Sequence, residues 1–229
     1  MPEQFRVDIN EYQSVTANLY LASARRRARI TLILGHGAGA GQSSAFMVSF
    51  ATELASRGID VVTFNFFYSE HRRGAPDPND KLEACYRAVI DNVRNNKKLA
   101  RNRLAIGGKS MGGRIASQAA AAGVGDLAGL VFLGYPLHPP GNSEKQRSKH
   151  LPLIKAPMLF VQGSRDAFGT ADELRAIVKD LSGATLHIIE GGDHSLKVPK
   201  RAGVAQDEVY KSVQDEIARW LKASGAVND

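Results

Sequence analysis

The chain has 229 residues and a formal net charge of +7, with 43% of its residues hydrophobic and 23% charged. That balance is ordinary for a soluble globular protein with a sizeable core, and the length suits one α/β domain or at most two small ones. The single cysteine, Cys85, excludes an intramolecular disulfide, fits a reducing compartment and is too little thiol for a metal site.

In chain order, "MPEQFRVDINEYQSV" has no basic region followed by an apolar one, so no secretory signal is read, and the stretch allows one or two edge strands. "RITLILG" (29–35) is a buried strand by its β-branched apolar run. "SSAFMVSFATELASRG" (43–58) is a helix, with Phe46, Phe50 and Leu54 on one face and Gly58 as its stop. "IDVVTFNF" (59–66) is the next strand. "PNDKLEACYRAVIDNVRNN" (78–96) is an amphipathic helix that buries Leu82, Tyr86, Val89 and Val93; Cys85 lies within it, and Asn79 or Asp80 is the expected cap. "RLAIGG" (103–108) is a strand that runs into the helix "MGGRIASQAAAAG" (111–123). "LAGLVFLGYP" (127–136), "APMLFVQG" (156–163) and "ATLHIIEG" (184–191) are three more strands, the last two separated by the helix "TADELRAIVKDL" (170–181). "VAQDEVYKSVQDEIARWLKASG" (204–225) closes the pattern as a helix with Val209, Val213, Ile217, Trp220 and Leu221 inward. The stretch 135–154, rich in proline and charge, reads as an irregular excursion. Alternating strands and helices without repeat or linker point to a single α/β domain over residues 1–229.

No apolar run is long enough to span a bilayer, and a cytoplasmic location is expected. The basic residues fall in separate clusters at 24–29, 71–73, 94–103, 145–150 and 197–201, without a helix–turn–helix pattern or interleaved aromatics. They read as solvated surface, with no nucleic-acid or membrane partner expected; anionic substrates are compatible with the charge without being required by it. The six histidines show no metal-ligand spacing, and no metal or cofactor is expected.

The stretch "LAIGGKSMGGR" (104–114) admits two chemistries. A phosphate-binding loop ending in Gly108-Lys109-Ser110 needs glycine at position 103, which is Arg103, so that reading fails on spacing. Gly108-Lys109-Ser110-Met111-Gly112 also spells G-x-S-x-G, for which composition alone gives roughly 0.15 chance matches. Its place between a strand and a helix is what a turn presenting a nucleophilic serine demands, and Gly108 and Gly112 relieve the crowding there. A serine needs a base, and the base an orienting acid. Asp166 follows the strand 156–163 and His194 the strand 184–191, in the order serine, acid, histidine. Asp193 is the rival acid, disfavoured because adjacent residues rarely converge on one point.

"GHGAGAG" (35–41), with His36 inside it, has a double reading of its own. As a dinucleotide turn it lacks an acid at the end of the next strand, since Asp60 stands at the beginning. As an oxyanion loop, the backbone N–H of Ala38 joins that of Met111 to hold a tetrahedral intermediate, with Gly39 the alternative to Ala38.

The motifs "GHGAGAG", "GKSMGGR", "GYPLHPPG", "QGSRDAFG" and "GGDHSL" together resemble the α/β-hydrolase superfamily, in particular its dienelactone-hydrolase-like group, over residues 30–222. "GYPLHPPG" and "GKSMGGR" resemble more narrowly a branch of hydrolases whose eukaryotic relatives include testis-expressed hydrolase-like proteins and a chromatin acetyltransferase complex subunit. The resemblance implies an α/β-hydrolase fold, a mostly parallel central sheet with helices on both faces and no large cap domain. It also implies Ser110 as nucleophile, His194 as general base and then acid, and Asp166 as its orienting partner. The expected activity is a serine hydrolase, esterase- or thioesterase-like, that cleaves a small acyl substrate through an acyl-enzyme. The alternative is a non-catalytic interaction module on the same fold. Lys109 beside the serine and the missing cap leave the substrate open.

Overall fold

The structure is a computed structural model that describes residues 1–224. A hairpin of β1 (Glu3–Asn10) and β2 (Gln13–Tyr20) precedes the alternating part of the chain. There follow β3 (Ile30–Gly35), α1 (Ala45–Ser56), β4 (Asp60–Phe64), the single turn α2 (Phe67–Glu70), α3 (Asn79–Asn95), β5 (Arg103–Lys109) and α4 (Met111–Ala121). The chain continues through β6 (Gly129–Leu133), β7 (Met158–Gly163), α5 (Ala171–Val178), β8 (Ala184–Ile189) and α6 (Gln206–Ser224). Gly225, the last residue of the expected final helix, lies outside the described residues.

The strands form one sheet in the order β1-β2-β4-β3-β5-β6-β7-β8. β2 runs antiparallel to both its neighbours, and every pairing from β4 to β8 is parallel. Strands β3, β4, β6 and β7 are buried along their whole length and β5 between its charged ends Arg103 and Lys109, which is why each reads as an apolar run, whereas the edge strand β1 alternates with solvent. Successive side chains point to opposite faces. Leu32 and Leu34 therefore pack with Phe50 and Leu54 of α1 and Val213 and Ile217 of α6. Ile33 instead joins Leu82 and Val89 of α3, Ile115 of α4 and Leu174 of α5. Helices thus cover both faces, and among the described residues the C-terminal ends of the parallel strands carry loops and no large cap domain.

Several element ends differ from the sequence expectation, each for a local reason. β6 stops at Leu133 because Gly134 turns to a φ of 66° and sends its N–H to the Val161 carbonyl. α5 loses its helical bonding after Val178, where Asp180 and Leu181 bond three residues back. Neither Asn79 nor Asp80 caps α3: Pro78 occupies that position, and the Asn79 amide is bonded to Glu83 and Arg114. α2 has no counterpart among the expected elements, since one turn carries no periodicity. Val209, expected inward, and Phe46, expected on one face with Phe50 and Leu54, sit half-buried at the edge of the core. The excursion 135–154 is irregular apart from a 3-10 turn at Leu151–Leu153, and it is tied to α4 by a 2.7 Å bond between Ser117 Oγ and His150 Nε2.

At the opposite edge from those loops, the Asp60 carboxylate is fully buried. It accepts hydrogen bonds from the Ala22 N–H (2.9 Å), Arg27 Nε (2.6 Å) and Asn102 Nδ2 (2.6 Å). The acid that a dinucleotide turn needs is thus about a strand's length, roughly 13 Å, from the start of the glycine loop. Asp60→Ala strands the Ala22 amide and is expected to cost about 2–4 kcal/mol in urea unfolding. A loss below about 0.5 kcal/mol would contradict the structural role of this carboxylate.

Candidate active site

Ser110 sits between β5 and α4 with φ 51° and ψ −115°, a conformation that costs a side-chain-bearing residue about 1–3 kcal/mol. The surroundings hold it there. Its N–H donates to the Leu133 carbonyl (3.0 Å), while its own carbonyl accepts the Arg114 N–H (3.0 Å) and starts the helix. The turn is also squeezed against the end of β3. A Cβ on Gly112 would lie 2.2 Å from the Gly35 carbonyl oxygen, and one on Gly108 would lie 2.4 Å from the same atom. The glycines of the motif are therefore steric requirements, as the spacing suggests.

Ser110, His194 and Asp166 are brought together in one line. His194 Nε2 is 2.8 Å from Ser110 Oγ, and His194 Nδ1 is 2.8 Å from Asp166 Oδ2. A carboxylate accepts, so Nδ1 carries the ring proton and Nε2 is left to accept from the serine hydroxyl. Asp166 is fully buried, with Oδ1 taking the Phe168 N–H (2.8 Å) and Oδ2 taking Gln162 Nε2 (2.9 Å) as well as the imidazole. The Phe168 ring stacks on the imidazole at 4.1 Å between centroids. Asp193 is turned away from the ring, its Oδ1 accepting the N–H groups of Ser195 and Lys197 and shaping the loop.

The loop carrying His194 comes close enough because Gly163, at the end of β7, has no side chain. A Cβ there would lie 2.4 Å from the carbonyl oxygens of both Gly192 and Asp193. Lys109 fastens the loop from the other side, its Nζ donating to the His194 carbonyl at 2.5 Å. Burial pulls this amine down to about 8, against the opposing pull of the Asp166 and Asp193 charges.

On the other wall, Ala38 and Met111 line the cavity that opens above Ser110. Met111 is the first residue of α4, so its N–H has no acceptor within the helix. The loop holding Ala38 is braced by His36, whose Nε2 accepts the Phe66 N–H (3.2 Å) and whose Nδ1 donates to the Gly37 carbonyl (2.8 Å). Burial depresses His36 to about 4, so it stays neutral and serves as a strut. Cys85, as expected for a residue within that helix, is buried in α3, and its thiol is pushed up to about 12 by desolvation.

The cavity holds about 920 Å³, near the upper end for small-molecule sites. Phe46, Met47, Leu82, Met111, Phe168 and Tyr210 make its apolar walls, and Pro136 and Arg147 of the excursion contribute one side. Gln162, Phe168 and Lys109 are contacts of the site whose parts sequence reasoning missed. Gln162 had one signal, a lone polar residue closing an otherwise apolar strand.

A serine on a strained strand-to-helix turn, with a carboxylate and a histidine on later strand ends of a mostly parallel sheet, defines the class as an α/β-hydrolase fold. Residues 28–222 match the family described as alpha/beta hydrolase domain, and the chain belongs to that family. Among solved structures it is similar to an α/β serine hydrolase without lid from Xanthomonas campestris, at 21% identity and TM-score 0.74, covering 96% of this chain and 94% of that one. It is also similar to a dienelactone hydrolase from Anabaena variabilis, at 20% identity and TM-score 0.73 over 96% of each chain. An α/β serine hydrolase homologue from Coxiella burnetii matches at 18% identity and TM-score 0.71, again over 96% of each.

Lys109 gives the fold a pH dependence. The unfolded chain keeps this proton to its ordinary value of 10.5, whereas the folded chain releases it near 8. Unfolding takes up a proton between those values, so this residue makes stability rise with pH across the interval. Urea unfolding at about pH 8 and about pH 10 should show that rise in wild type relative to Lys109→Met, the comparison cancelling the other groups. Identical pH dependence in the two proteins would contradict it.

Proposed function

We propose that this protein is a serine hydrolase that cleaves a small carboxylic ester or thioester through an acyl-enzyme. The observation that carries the reading is the unbroken row Asp166–His194–Ser110, with 2.8 Å at each link, on the floor of a cavity large enough for an acyl substrate. Ser110 Oγ attacks the carbonyl carbon as His194 Nε2 takes the hydroxyl proton, and the carbonyl π pair moves onto oxygen. The N–H groups of Ala38 and Met111 receive that oxyanion, and one such donor is worth about 3–4 kcal/mol in the transition state. Collapse expels the alcohol or thiol, which leaves with the proton from His194. Water then attacks the acyl-enzyme, giving its proton to His194, and the second collapse frees the carboxylic acid and returns the proton to Ser110. Asp166 holds the imidazole in the required tautomer and stabilises the imidazolium, remaining ionised throughout.

The narrower resemblance, to the branch with testis-expressed and chromatin-complex relatives, rests on "GYPLHPPG" and "GKSMGGR". We take this chain as a catalytic member because its serine, acid and histidine are all present and aligned.

The test is a panel of short-chain p-nitrophenyl esters and acyl thioesters with wild type, Ser110→Ala and Asp166→Asn. Wild type is expected to turn over at least one member. Ser110→Ala should lower the rate by about 10³-fold or more, and Asp166→Asn by about 10⁴-fold with the geometry intact. Hydrolysis by Ser110→Ala at the wild-type rate would overturn the assignment. A folded wild type inert to the whole panel would favour the interaction-module reading.

A further inference from the structure

The cavity above Ser110 is lined by two guanidinium groups that form no ion pair among the described residues. Arg114 lies one helical turn beyond Ser110, about 6 Å along the axis of α4. Arg147 enters from the excursion, held in place through its backbone, whose N–H donates to the Leu137 carbonyl (2.7 Å) and whose carbonyl accepts the Tyr135 hydroxyl (2.8 Å). Both side chains line the cavity and both are half-buried.

Neither forms an ion pair among the described residues, unlike Arg27, Arg57 and Arg73, each of which does. Arg114 donates only to neutral acceptors, Asn79 Oδ1 (2.7 Å) and Gln118 Oε1 (3.1 Å), which orient the group without cancelling its charge. No side-chain hydrogen bond holds the Arg147 guanidinium among the described residues. Burial first, and then the charge of Arg147, pulls Arg114 below its ordinary value, with Tyr135 and Glu83 opposing. The other charges on the cavity wall do not compensate. Asp77 is taken by Arg73 and the Tyr68 N–H, and Lys109 by the His194 carbonyl. Asp207, in the first turn of α6, also lines the cavity and forms an ion pair with neither arginine among the described residues.

Two like charges kept together at a half-buried wall are unfavourable unless something negative joins them. Planar guanidinium forks match the paired oxygens of a carboxylate or phosphate. We infer that Arg114 and Arg147 form an anion subsite, so that the natural substrate is an acyl ester or thioester that also carries an oxyacid group. This inference rests on the hydrolase reading for the word substrate; the anion subsite itself does not.

Matched thioesters test it. Glutaryl N-acetylcysteamine is compared with the neutral valeryl compound, and butyryl-4′-phosphopantetheine with butyryl-pantetheine, so that acyl-side carboxylate and leaving-group phosphate are separated. Wild type should prefer the charged member of at least one pair by about tenfold or more in kcat/KM, mainly through KM, the size of a charge-assisted contact. Arg147→Gln, which breaks no side-chain hydrogen bond among the described residues, and Arg114→Gln should each reduce that preference at least severalfold. Equal use of both members in both pairs, or a preference that survives both substitutions, would overturn the subsite. If no thioester is hydrolysed, the hydrolase reading stands or falls on the ester panel, and calorimetric titration of Ser110→Ala with glutarate and with 4′-phosphopantetheine decides the subsite without turnover. Binding of either that is lost in the Arg114→Gln/Arg147→Gln protein supports it, and binding of neither overturns it.

Discussion

The site depends on how closely β3, β5 and α4 approach at the carbonyl of Gly35. Two glycines of the serine turn face that single oxygen at distances no Cβ tolerates. Closing this gap lets α4 begin directly under the strand ends, which forces Ser110 into its positive-φ turn. The same contact sets the loop 36–40 beside the start of α4, so the N–H of Met111 and the segment containing Ala38 share one wall of the cavity. Backbone strain at one residue is thereby held by packing in three elements, at a cost small beside the burial those elements achieve.

The histidine is positioned by different means. Its loop lies against Gly163, its carbonyl is gripped by the Lys109 amine, and its ring is stacked by Phe168 and bonded to Asp166. Asp166 is itself immobilised, because Gln162 donates to it while accepting the Tyr135 N–H, which links β7 to the start of the excursion. With these donors Asp166 presents a fixed acceptor to the imidazole. The excursion that carries Arg147 is thus connected to the acid through Tyr135, one residue binding Gln162 by its backbone and the Arg147 carbonyl by its hydroxyl.

The alternating pattern was legible because buried parallel strands and amphipathic helices write their periods directly into the chain. Ser110 was legible for a related reason, since its turn is local and its glycines are steric necessities. Asp166 and His194 stood out only as polar residues just past strand ends, and their meeting depends on β7 and β8 being neighbours in the sheet. Other features left weaker traces. Asn79 looks like a helix cap in sequence, yet its amide is drawn away by Arg114 from another helix. Arg147 sits in a basic cluster that reads as solvated surface, and only the folding back of the excursion puts it in the cavity. Lys109 occupies the variable position of the motif, and nothing local shows that its amine reaches a carbonyl 85 residues away in sequence.

The central claim is that Ser110 is an activated nucleophile, and covalent labelling tests it most directly. Wild type and Ser110→Ala, both shown to be folded, would be treated with a fluorophosphonate and weighed intact, with the labelled peptide then mapped. The expected result is one adduct on wild type, located at Ser110, and none on the variant. A folded wild type that takes no adduct, or takes it at another residue, would contradict the claim.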